Sequence, residues 1–282
     1  MTTLTARTPA VLQADAALPA RRPSPTAVAS GSAMTILVRQ ARAELLKLVR
    51  APDFVAPVVI LPVVLFALFG SPAIGAFTDD GVALGPLLAA SFTAYGVLGI
   101  VLFTFGEAVA SERGQGWLRL IRATPLPGWA FVAAKLIAGL VLVLLFLTVM
   151  VPSATVLGVK LDPTSWARLG ATVAIGGLAL APIGFIVGLL VRSNAAGAVA
   201  LLMYLPLSYA SGMWTPIREL PEVVQSIAHV LPTYHLNQLG HAAVGVPVGD
   251  VSGHILFLLA TFAVGAGLSA AAYRRVAARQ FA

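Results

Sequence analysis

The chain has 282 residues, of which 59% are hydrophobic and only 10% are charged, and its mean hydropathy is +0.92. Soluble domains carry about 25% charged residues, so this composition excludes an ordinary soluble protein and predicts an integral membrane protein. Cysteine is absent, which excludes disulfides, thiolate metal sites and a cysteine nucleophile.

The N-terminal region divides into a polar tail and an amphipathic segment. Residues 1–33 are rich in Ala, Pro, Thr and Ser and contain no apolar run that could cross a bilayer, which predicts a flexible cytoplasmic tail. Residues 34–52 carry apolar side chains at i, i+3, i+4 and i+7 and basic side chains on the opposite arc. This pattern predicts an amphipathic helix in the lipid headgroup layer. A core helix of a soluble protein is the alternative.

Six apolar segments follow, and each approaches the length of about 20 residues that a hydrocarbon core of about 30 Å requires. We therefore predict an all-α membrane protein in which residues 53–282 form one six-span transmembrane domain. The fifth segment is the shortest and contains Pro206, which favours a broken or pathway-lining helix. The predicted spans are 54–74, 86–108, 129–152, 169–191, 195–213 and 253–273.

The distribution of basic residues orients these spans. With both termini on the inner side, fifteen of the eighteen Lys and Arg residues lie inside and three lie outside. Cytoplasmic loops of membrane proteins carry an excess of Lys and Arg. The sequence therefore predicts a multi-pass protein whose N and C termini are both cytoplasmic.

The inner connection between the second and third spans, residues 109–128, is longer than a simple tether requires. Glu112, Gln115, Arg119 and Arg122 follow one helical face, and prolines end the segment. This pattern predicts a short cytoplasmic helix whose charges point away from the bilayer and dock on a soluble partner. A solvated loop helix without a partner is the alternative.

The outer connection between the fifth and sixth spans has two parts. Apolar residues from Leu220 to Leu231 follow helical spacing, which predicts an amphipathic helix that serves as a lid over a pathway or as a structural cap. Residues 232–250 are too polar for a span and too apolar for a free loop. We predict a re-entrant segment that packs against protein, because its backbone must be satisfied inside the membrane.

Several kinds of chemistry are missing from the sequence. None of the three lysines ends a G-x-x-x-x-G-K-[ST] phosphate loop, the histidines form no H-E-x-x-H pattern, and no G-x-S-x-G elbow is present. No carboxylate lies in the middle of a predicted span, which argues against a carrier that is coupled through buried acids. We therefore expect no catalytic residue, no metal site and no bound cofactor in this chain.

Residues 34–275 resemble the permease subunit of a type-2 ABC exporter, a group that includes drug-resistance, antibiotic-export and sodium-extrusion permeases. The inner segment matches the family pattern at Glu112–Arg113, Gly116 and Thr124–Leu126, although Trp117 replaces the commoner Thr. The outer segment matches at positions that form a Ser-Gly pair, a Pro, a Leu-Pro pair and a closing Leu-Pro pair. These are Ser211, Gly212, Pro216, Leu220, Pro221, Ile227 and Pro232.

The resemblance implies a complex in a prokaryotic plasma membrane, with two permease chains and two separate ATP-binding subunits that hold ATP and Mg. A homodimer is the simpler arrangement, and no nucleic acid is involved. The residues that contact the ATP-binding subunit would be Arg39, Arg42, Lys47, Glu112, Arg113, Gly116, Arg119, Arg122 and Pro125. The translocation pathway would be lined by Phe92, Tyr95, Phe103, Tyr204, Ser208, Tyr209 and Met213. The outer gate would contain Trp214, Pro216, Leu220 and Ile227.

The predicted pathway residues are aromatic and weakly polar, which suits an amphipathic or hydrophobic cargo such as a drug, an antibiotic or a lipid-like molecule. Two other functions remain open at this point. A self-contained carrier or channel would need an ionisable site within the spans, and a lipid-modifying enzyme would need a cluster of His, Asp or Glu at one membrane depth. The sequence shows no such cluster, and a self-contained carrier leaves the patterned inner helices unexplained.

Overall fold

The structure, a computed structural model, describes residues 33–116 and 128–279. Regular structure within these residues is helical apart from an isolated bridge between Phe77 and Ala83, which confirms the predicted all-α class. The α-helices are α1 (Ala33–Arg50), α2 (Pro52–Leu65), α3 (Leu84–Ile100), α4 (Ala108–Gly114), α5 (Gly128–Val156), α6 (Pro163–Leu190), α7 (Ala196–Ala210), α8 (Glu222–Ala228), α9 (Pro232–Ala243) and α10 (Val251–Arg279).

Short segments of other helix types extend two of these helices. A π-helical segment, Phe66–Gly70, and a 3-10 turn, Ser71–Ala73, continue α2. A second π-helical segment, Val101–Glu107, joins α3 to α4 without a break. Turns of π-helix inside α-helices occur frequently at functional sites, and this one lies in the second predicted span.

Five continuous helices in the described residues are long and apolar enough to cross a membrane. They are Pro52–Ala73, Leu84–Gly114, Gly128–Val156, Pro163–Leu190 and Val251–Arg275. These helices coincide with five of the six predicted spans and make the chain a multi-pass membrane protein.

The predicted fifth span, 195–213, differs from the other five. Its α-helix, α7, has 15 residues and follows a 3-10 turn, Ser193–Ala195. At 1.5 Å per residue α7 is about 22 Å long, which is shorter than a hydrocarbon core of about 30 Å. The helix ends at Ala210 because the chain turns there, with Gly212 at a φ of +69°. By helix length alone, the described residues therefore contain five of the six full-length spans that the sequence predicts.

The second span forms the centre of the bundle. Of its most apolar stretch 94% is buried, against 22% for the first span and 17% for the last. Helix α6 approaches it very closely at Gly184 and Gly188. A Cβ atom at these positions would lie 2.6 Å from the carbonyl oxygen of Val101 and 2.7 Å from that of Phe105. Glycine therefore permits backbone contact between α6 and the π-helical segment, as small residues do in many membrane helix pairs.

The predicted amphipathic segment forms α1, which packs against α5. Ala41 and Glu44 are its buried residues, whereas Met34 is 67% exposed and Val38 is 57% exposed. The basic side chain of Arg39 is also exposed. Helix α1 thus attaches to the protein along a narrow strip and leaves apolar and basic side chains free of contact with the described protein.

Helix α9 forms from the polar outer segment and is enclosed by α3, α6 and α10. Its direction is opposite to that of α6, because Leu236 lies against Gly176 while Gly240 lies against Leu169. Pro232 occupies the first turn, where the missing N–H costs nothing. A short polar helix is therefore held deep in the bundle, where its side chains find protein partners.

Candidate functional site

Four charged residues meet at one end of the bundle, which we name the inner end after the predicted orientation. The inner charge cluster consists of Glu44 and Lys47 of α1, Glu112 of α4 and Lys135 of α5. Lys135 Nζ lies 2.8 Å from Glu44 Oε2 and 2.7 Å from Glu112 Oε1. Lys47 Nζ lies 2.9 Å from Glu44 Oε1 and 3.0 Å from Glu112 Oε1. The cluster therefore joins three helices that are distant in the sequence.

Burial makes the pairing in this cluster essential. The side chain of Lys135 is 3% exposed, that of Glu44 5% and that of Glu112 15%, whereas Lys47 is 40% exposed. Two positive and two negative charges give a neutral set, in which each carboxylate contacts both ammonium groups. Removing one member would leave an uncompensated buried charge, which is far more costly than losing a surface ion pair.

The cluster also shifts the ionisation of its two members on α1. Burial raises the pKa of Glu44, but the ammonium groups of Lys135 and Lys47 outweigh this effect and lower the pKa below its ordinary value. Burial lowers the pKa of Lys47, but the carboxylates of Glu112 and Glu44 outweigh it and raise the pKa. Both shifts favour the charged forms, so Glu44 and Lys47 remain ionised at neutral pH.

The structure places the predicted coupling residues in different environments. Arg39 and Arg42 are exposed on α1, whereas Lys47 and Glu112 turn towards the inner charge cluster. Arg113 donates a hydrogen bond to the carbonyl oxygen of Val191 at the end of α6. Gly116 has a φ of +76°, a conformation that glycine adopts readily. The remaining predicted residues lie outside the described part of the chain, namely Arg119, Arg122 and Pro125.

One expectation about this region is wrong. Glu112 is predicted to point away from the bilayer and to dock on a soluble partner, but it points towards α1 and α5, because Lys47 and Lys135 neutralise it there. Sequence reasoning missed Glu44 and Lys135 as functional candidates. The available signal was Lys135 itself, a lysine within the apolar segment 129–152, since a charge in a span needs a partner.

The predicted pathway residues are partly brought together in an aromatic cluster, formed by Phe92, Tyr95, Phe103, Tyr204 and Trp214. The rings of Tyr95 and Tyr204 stack with centroids 4.4 Å apart, and the Tyr204 hydroxyl donates to the Tyr95 carbonyl oxygen at 3.1 Å. Trp214 contacts Tyr95 edge-on at 5.3 Å and lies 6.2 Å from Phe92, while Phe103 lies 5.8 Å from Tyr204. The cluster joins α7 and the following turn to the second span.

The other predicted pathway residues divide between the interior and the surface. Ser208 and Met213 are fully buried, and Ser208 accepts a hydrogen bond from Trp214 Nε1 at 3.0 Å. Tyr209 is 48% exposed on another face of α7, together with Leu202 and Leu205. Within one chain the seven predicted pathway residues therefore do not line a single surface.

The predicted outer-gate residues surround the turn that follows α7. Asn237 of α9 donates to the carbonyl oxygens of Ser211 and Gly212, both at 3.1 Å, and so fixes this turn to α9. Of the predicted residues, Trp214 joins the aromatic cluster and Leu220 is buried, whereas Ile227 is 48% exposed. Pro216 lines a cavity at the outer end of the bundle. Sequence reasoning missed Asn237, because nothing in its local pattern distinguishes it from a loop amide.

That outer cavity has a volume of about 1010 Å³ and is lined by all four histidines of the chain. His235 Nδ1 lies 2.7 Å from His254 Nδ1, and His235 Nε2 lies 3.0 Å from the carbonyl oxygen of His229. His241 Nε2 lies 2.7 Å from the Ser91 hydroxyl, and burial lowers the pKa of His241 to about 4. In the described part of the chain no three His, Asp or Glu side chains are arranged to hold a metal ion.

Comparisons with known proteins give a consistent result. Residues 78–271, more than half of the chain, match the sequence model of a family described as ABC-2 family transporter protein. YvfS of Bacillus subtilis (strain 168), which is named as a transport permease, is 30% identical over 203 residues, or 72% of this chain and 82% of YvfS. YhhJ of Escherichia coli (strain K12), named an inner membrane transport permease, is 32% identical over 150 residues, or 52% of this chain and 39% of YhhJ.

Proposed function

Because the chain belongs to the ABC-2 transporter family, we propose that it is the membrane subunit of an ATP-driven exporter. Permeases of this family work with ATP-binding subunits, and two such subunits would bind ATP and Mg and hydrolyse the nucleotide. This chain would contribute the pathway and the coupling, with no catalytic residue of its own. The cargo would be amphipathic or hydrophobic, since the aromatic cluster offers ring faces and hydroxyl groups rather than charges.

The observation that carries the coupling proposal is the inner charge cluster. It ties α4, which leads directly into residues 117–127, to α1 and to the first turns of α5. A force applied to α4 by an ATP-binding subunit would therefore reach two other helices through buried ion pairs. The exposed side chains of Arg39 and Arg42 would contact that subunit directly.

Helix α7 would also cross the membrane despite its short length, which would bring the number of crossings to six. Ser193, just before α7, lies against Gly114, while Trp214, just after it, lies against Phe92. Gly114 and Phe92 are 22 residues apart on the second span, which corresponds to about 33 Å. The segment from Ser193 to Trp214 contacts the second span at both of these points. This supports a membrane crossing by α7 together with the turn that follows it. Both termini would then be cytoplasmic, as the basic residues indicate.

A second, identical permease chain would cover the exposed apolar face of α7. Leu202, Leu205 and Tyr209 are 72%, 44% and 48% exposed there, on the helix whose other face carries the aromatic cluster. Two copies that meet across this face would form a closed two-fold dimer. The pathway would then run beside α7 and the second span of each copy.

The outer gate would be formed by α8 and α9. Helix α9 would be the re-entrant element, because it is short, runs opposite to α6 and is enclosed by three spans. Asn237 would hold the gate closed through its hydrogen bonds to Ser211 and Gly212. Release of cargo would require these bonds to break or to move with the turn.

Co-purification in mild detergent tests the proposal. The chain should retain an ATP-binding subunit, and the complex should hydrolyse ATP and transport an amphipathic dye in vesicles. Replacing Arg39 and Arg42 with Glu should preserve folding but reduce transport and retention of the subunit. Lys160→Glu, on an exposed residue far from α1 in the predicted topology, is the matched control and should change neither. Transport by the chain alone, without nucleotide, would refute the proposal and support a self-contained carrier.

A further inference from the structure

An apolar cavity of about 400 Å³ opens between α5, α6 and α10, away from the aromatic cluster. Its walls include Trp129 and Leu136 of α5, Phe185 of α6, and Phe262 and Tyr273 of α10. The hydroxyl of Ser269, which also lines the cavity, is already used in a hydrogen bond to the carbonyl oxygen of Pro182 at 3.0 Å. The cavity therefore presents mainly carbon atoms to an occupant.

The dimensions of the cavity match one leaflet of a bilayer. Along α10 its lining extends from Phe262 to Tyr273, which is 11 residues or about 16 Å. Half of a hydrocarbon core of about 30 Å is nearly the same length. Close to the Phe262 end of the cavity α10 meets α6 at short range, since a Cβ atom on Gly265 would lie 2.9 Å from Pro182 Cβ.

The other end of the cavity lies at the inner membrane surface. Trp129 begins α5 and Tyr273 stands near the end of α10, and such aromatic side chains favour the headgroup level. Arg274 and Arg275 follow directly and are exposed. At about 100° per residue, Arg274 lies beside the face of α10 that lines the cavity, whereas Arg275 lies on the opposite face. A positive charge at Arg274, beside the mouth of an apolar slot, complements the phosphate of a lipid whose acyl chain fills the slot.

The surroundings of the cavity indicate a lipid rather than a soluble ligand. Leu259, Val264 and Leu268 of α10 are 58%, 64% and 57% exposed, so the helix presents apolar side chains to the bilayer beside the cavity. We propose that the cavity binds one anionic phospholipid of the inner leaflet, with an acyl chain between α5, α6 and α10 and the phosphate at Arg274. The site is centred on α5, α6 and α10 rather than on the helices of the proposed pathway, and it serves a resident lipid, not the cargo.

Quenching of Trp129 fluorescence by brominated lipid tests this site directly, because Trp129 lines the cavity. The full chain is placed in vesicles of unlabelled phosphatidylcholine with increasing brominated phosphatidylglycerol or brominated phosphatidylcholine. A Trp129→Phe variant identifies the signal of this residue among the four tryptophans. We expect saturable quenching by phosphatidylglycerol and only proportional quenching by phosphatidylcholine.

Variants separate the cavity from the headgroup site. Ala266→Phe should fill the cavity and abolish the saturable component, whereas Ala271→Phe, on an exposed residue outside the lining, should leave it intact. Ala270→Leu is a milder second cavity variant in case Ala266→Phe fails to fold. Replacing Arg274 with Gln should weaken the apparent affinity for phosphatidylglycerol about fivefold, whereas Arg275→Gln, on the opposite face of α10, should change it less.

Three results would overturn the proposal. Equal, proportional quenching by both lipids would show ordinary contact with the bilayer. Saturable quenching that persists when the cavity is filled at Ala266 and Ala270 would place the lipid elsewhere. If neither lipid quenches the fluorescence of Trp129, another protein chain covers the cavity. That result also contradicts a lipid site.

Discussion

Lys135 of α5 places its ammonium group 2.8 Å from the carboxylate of Glu44 of α1, although the two residues are 91 positions apart in the chain. Both side chains are at least 95% buried. Such a pair is stable only because Glu112 and Lys47 complete the set of charges. The amphipathic N-terminal helix is therefore an integral part of the bundle at its inner end.

Lys135→Met should be strongly destabilising, because it leaves Glu44 and Glu112 with one half-exposed lysine between them. Removing one partner of a buried ion pair typically costs about 3–5 kcal/mol. The measurement is the thermal unfolding midpoint in detergent, with Lys160→Met as the control at an exposed lysine. Equal midpoints for the two variants would contradict a structural role for the cluster.

The inner charge cluster should also make the stability of the folded protein depend on pH. The pKa of Glu44 is lowered, so its stabilising contribution is present above its ordinary value of 4.5 and is lost as pH falls through the folded pKa. The pKa of Lys47 is raised, so its contribution is present below 10.5 and is lost as pH rises through the folded pKa.

The unfolding midpoint of the wild type should therefore exceed that of Glu44→Gln by a constant margin between pH 5 and pH 9. Below pH 4.5 the margin should shrink as the pH falls through the lowered pKa of Glu44, because the wild-type carboxyl then also becomes neutral. Glu222→Gln, at an exposed carboxylate of α8, serves as the control and should match the wild type at each pH. A margin for Glu44→Gln that does not change in acid would contradict this account.

Tyr95 and Tyr204 offer a matched pair of hydroxyl deletions within the aromatic cluster. The Tyr204 hydroxyl donates to the Tyr95 carbonyl oxygen, whereas the buried Tyr95 hydroxyl has no partner among the described residues. Tyr204→Phe should lower the free energy of unfolding by about 0.5–1.5 kcal/mol, whereas Tyr95→Phe should leave it unchanged or raise it.

Unfolding midpoints and dye transport by the complex check this pair together. If the Tyr95 hydroxyl contacts cargo in the working transporter, Tyr95→Phe should alter transport or cargo preference while leaving the midpoint unchanged. Destabilisation by Tyr95→Phe that matches the effect of Tyr204→Phe would mean that the hydroxyl has a structural partner instead.

Gly188→Ala should destabilise the contact between α6 and the second span. The added Cβ would lie 2.7 Å from the Phe105 carbonyl oxygen, and backbone on both sides leaves little room to adjust. Overpacking of this kind costs about 1–3 kcal/mol. Gly267→Ala on α10 is the control, because a Cβ there meets no atom within 4 Å and alanine favours the helix by up to about 1 kcal/mol.

Opposite shifts of the unfolding midpoint are therefore expected for the two glycine variants. A stable Gly188→Ala protein would show that α6 can move away from the second span at little cost. That result would also remove the reason for glycine at Gly184, which makes the same kind of contact one turn earlier.

The sequence by itself determined the membrane class, the all-α fold, the position of five spans and the transporter family. These features follow from local composition, since a run of about 20 apolar residues must become a helix when it crosses a bilayer. The amphipathic pattern before Pro52 likewise predicted the helix Ala33–Arg50. Motif spacing in the inner and outer connections was sufficient to indicate the family, which the comparison over residues 78–271 supports.

The tertiary structure alone decided which polar residues act together. Glu112 is predicted to point away from the bilayer, but Lys135 and Lys47 draw it into a buried cluster, because ion pairing compensates for the loss of hydration only when the partners meet. Asn237 and His241 gave no local signal, and they gained partners only when α9 packed beside the turn that follows α7 and beside α3. Local periodicity fixes which face of a helix is apolar, whereas the contacts of its polar residues depend on neighbours that are far away in the chain.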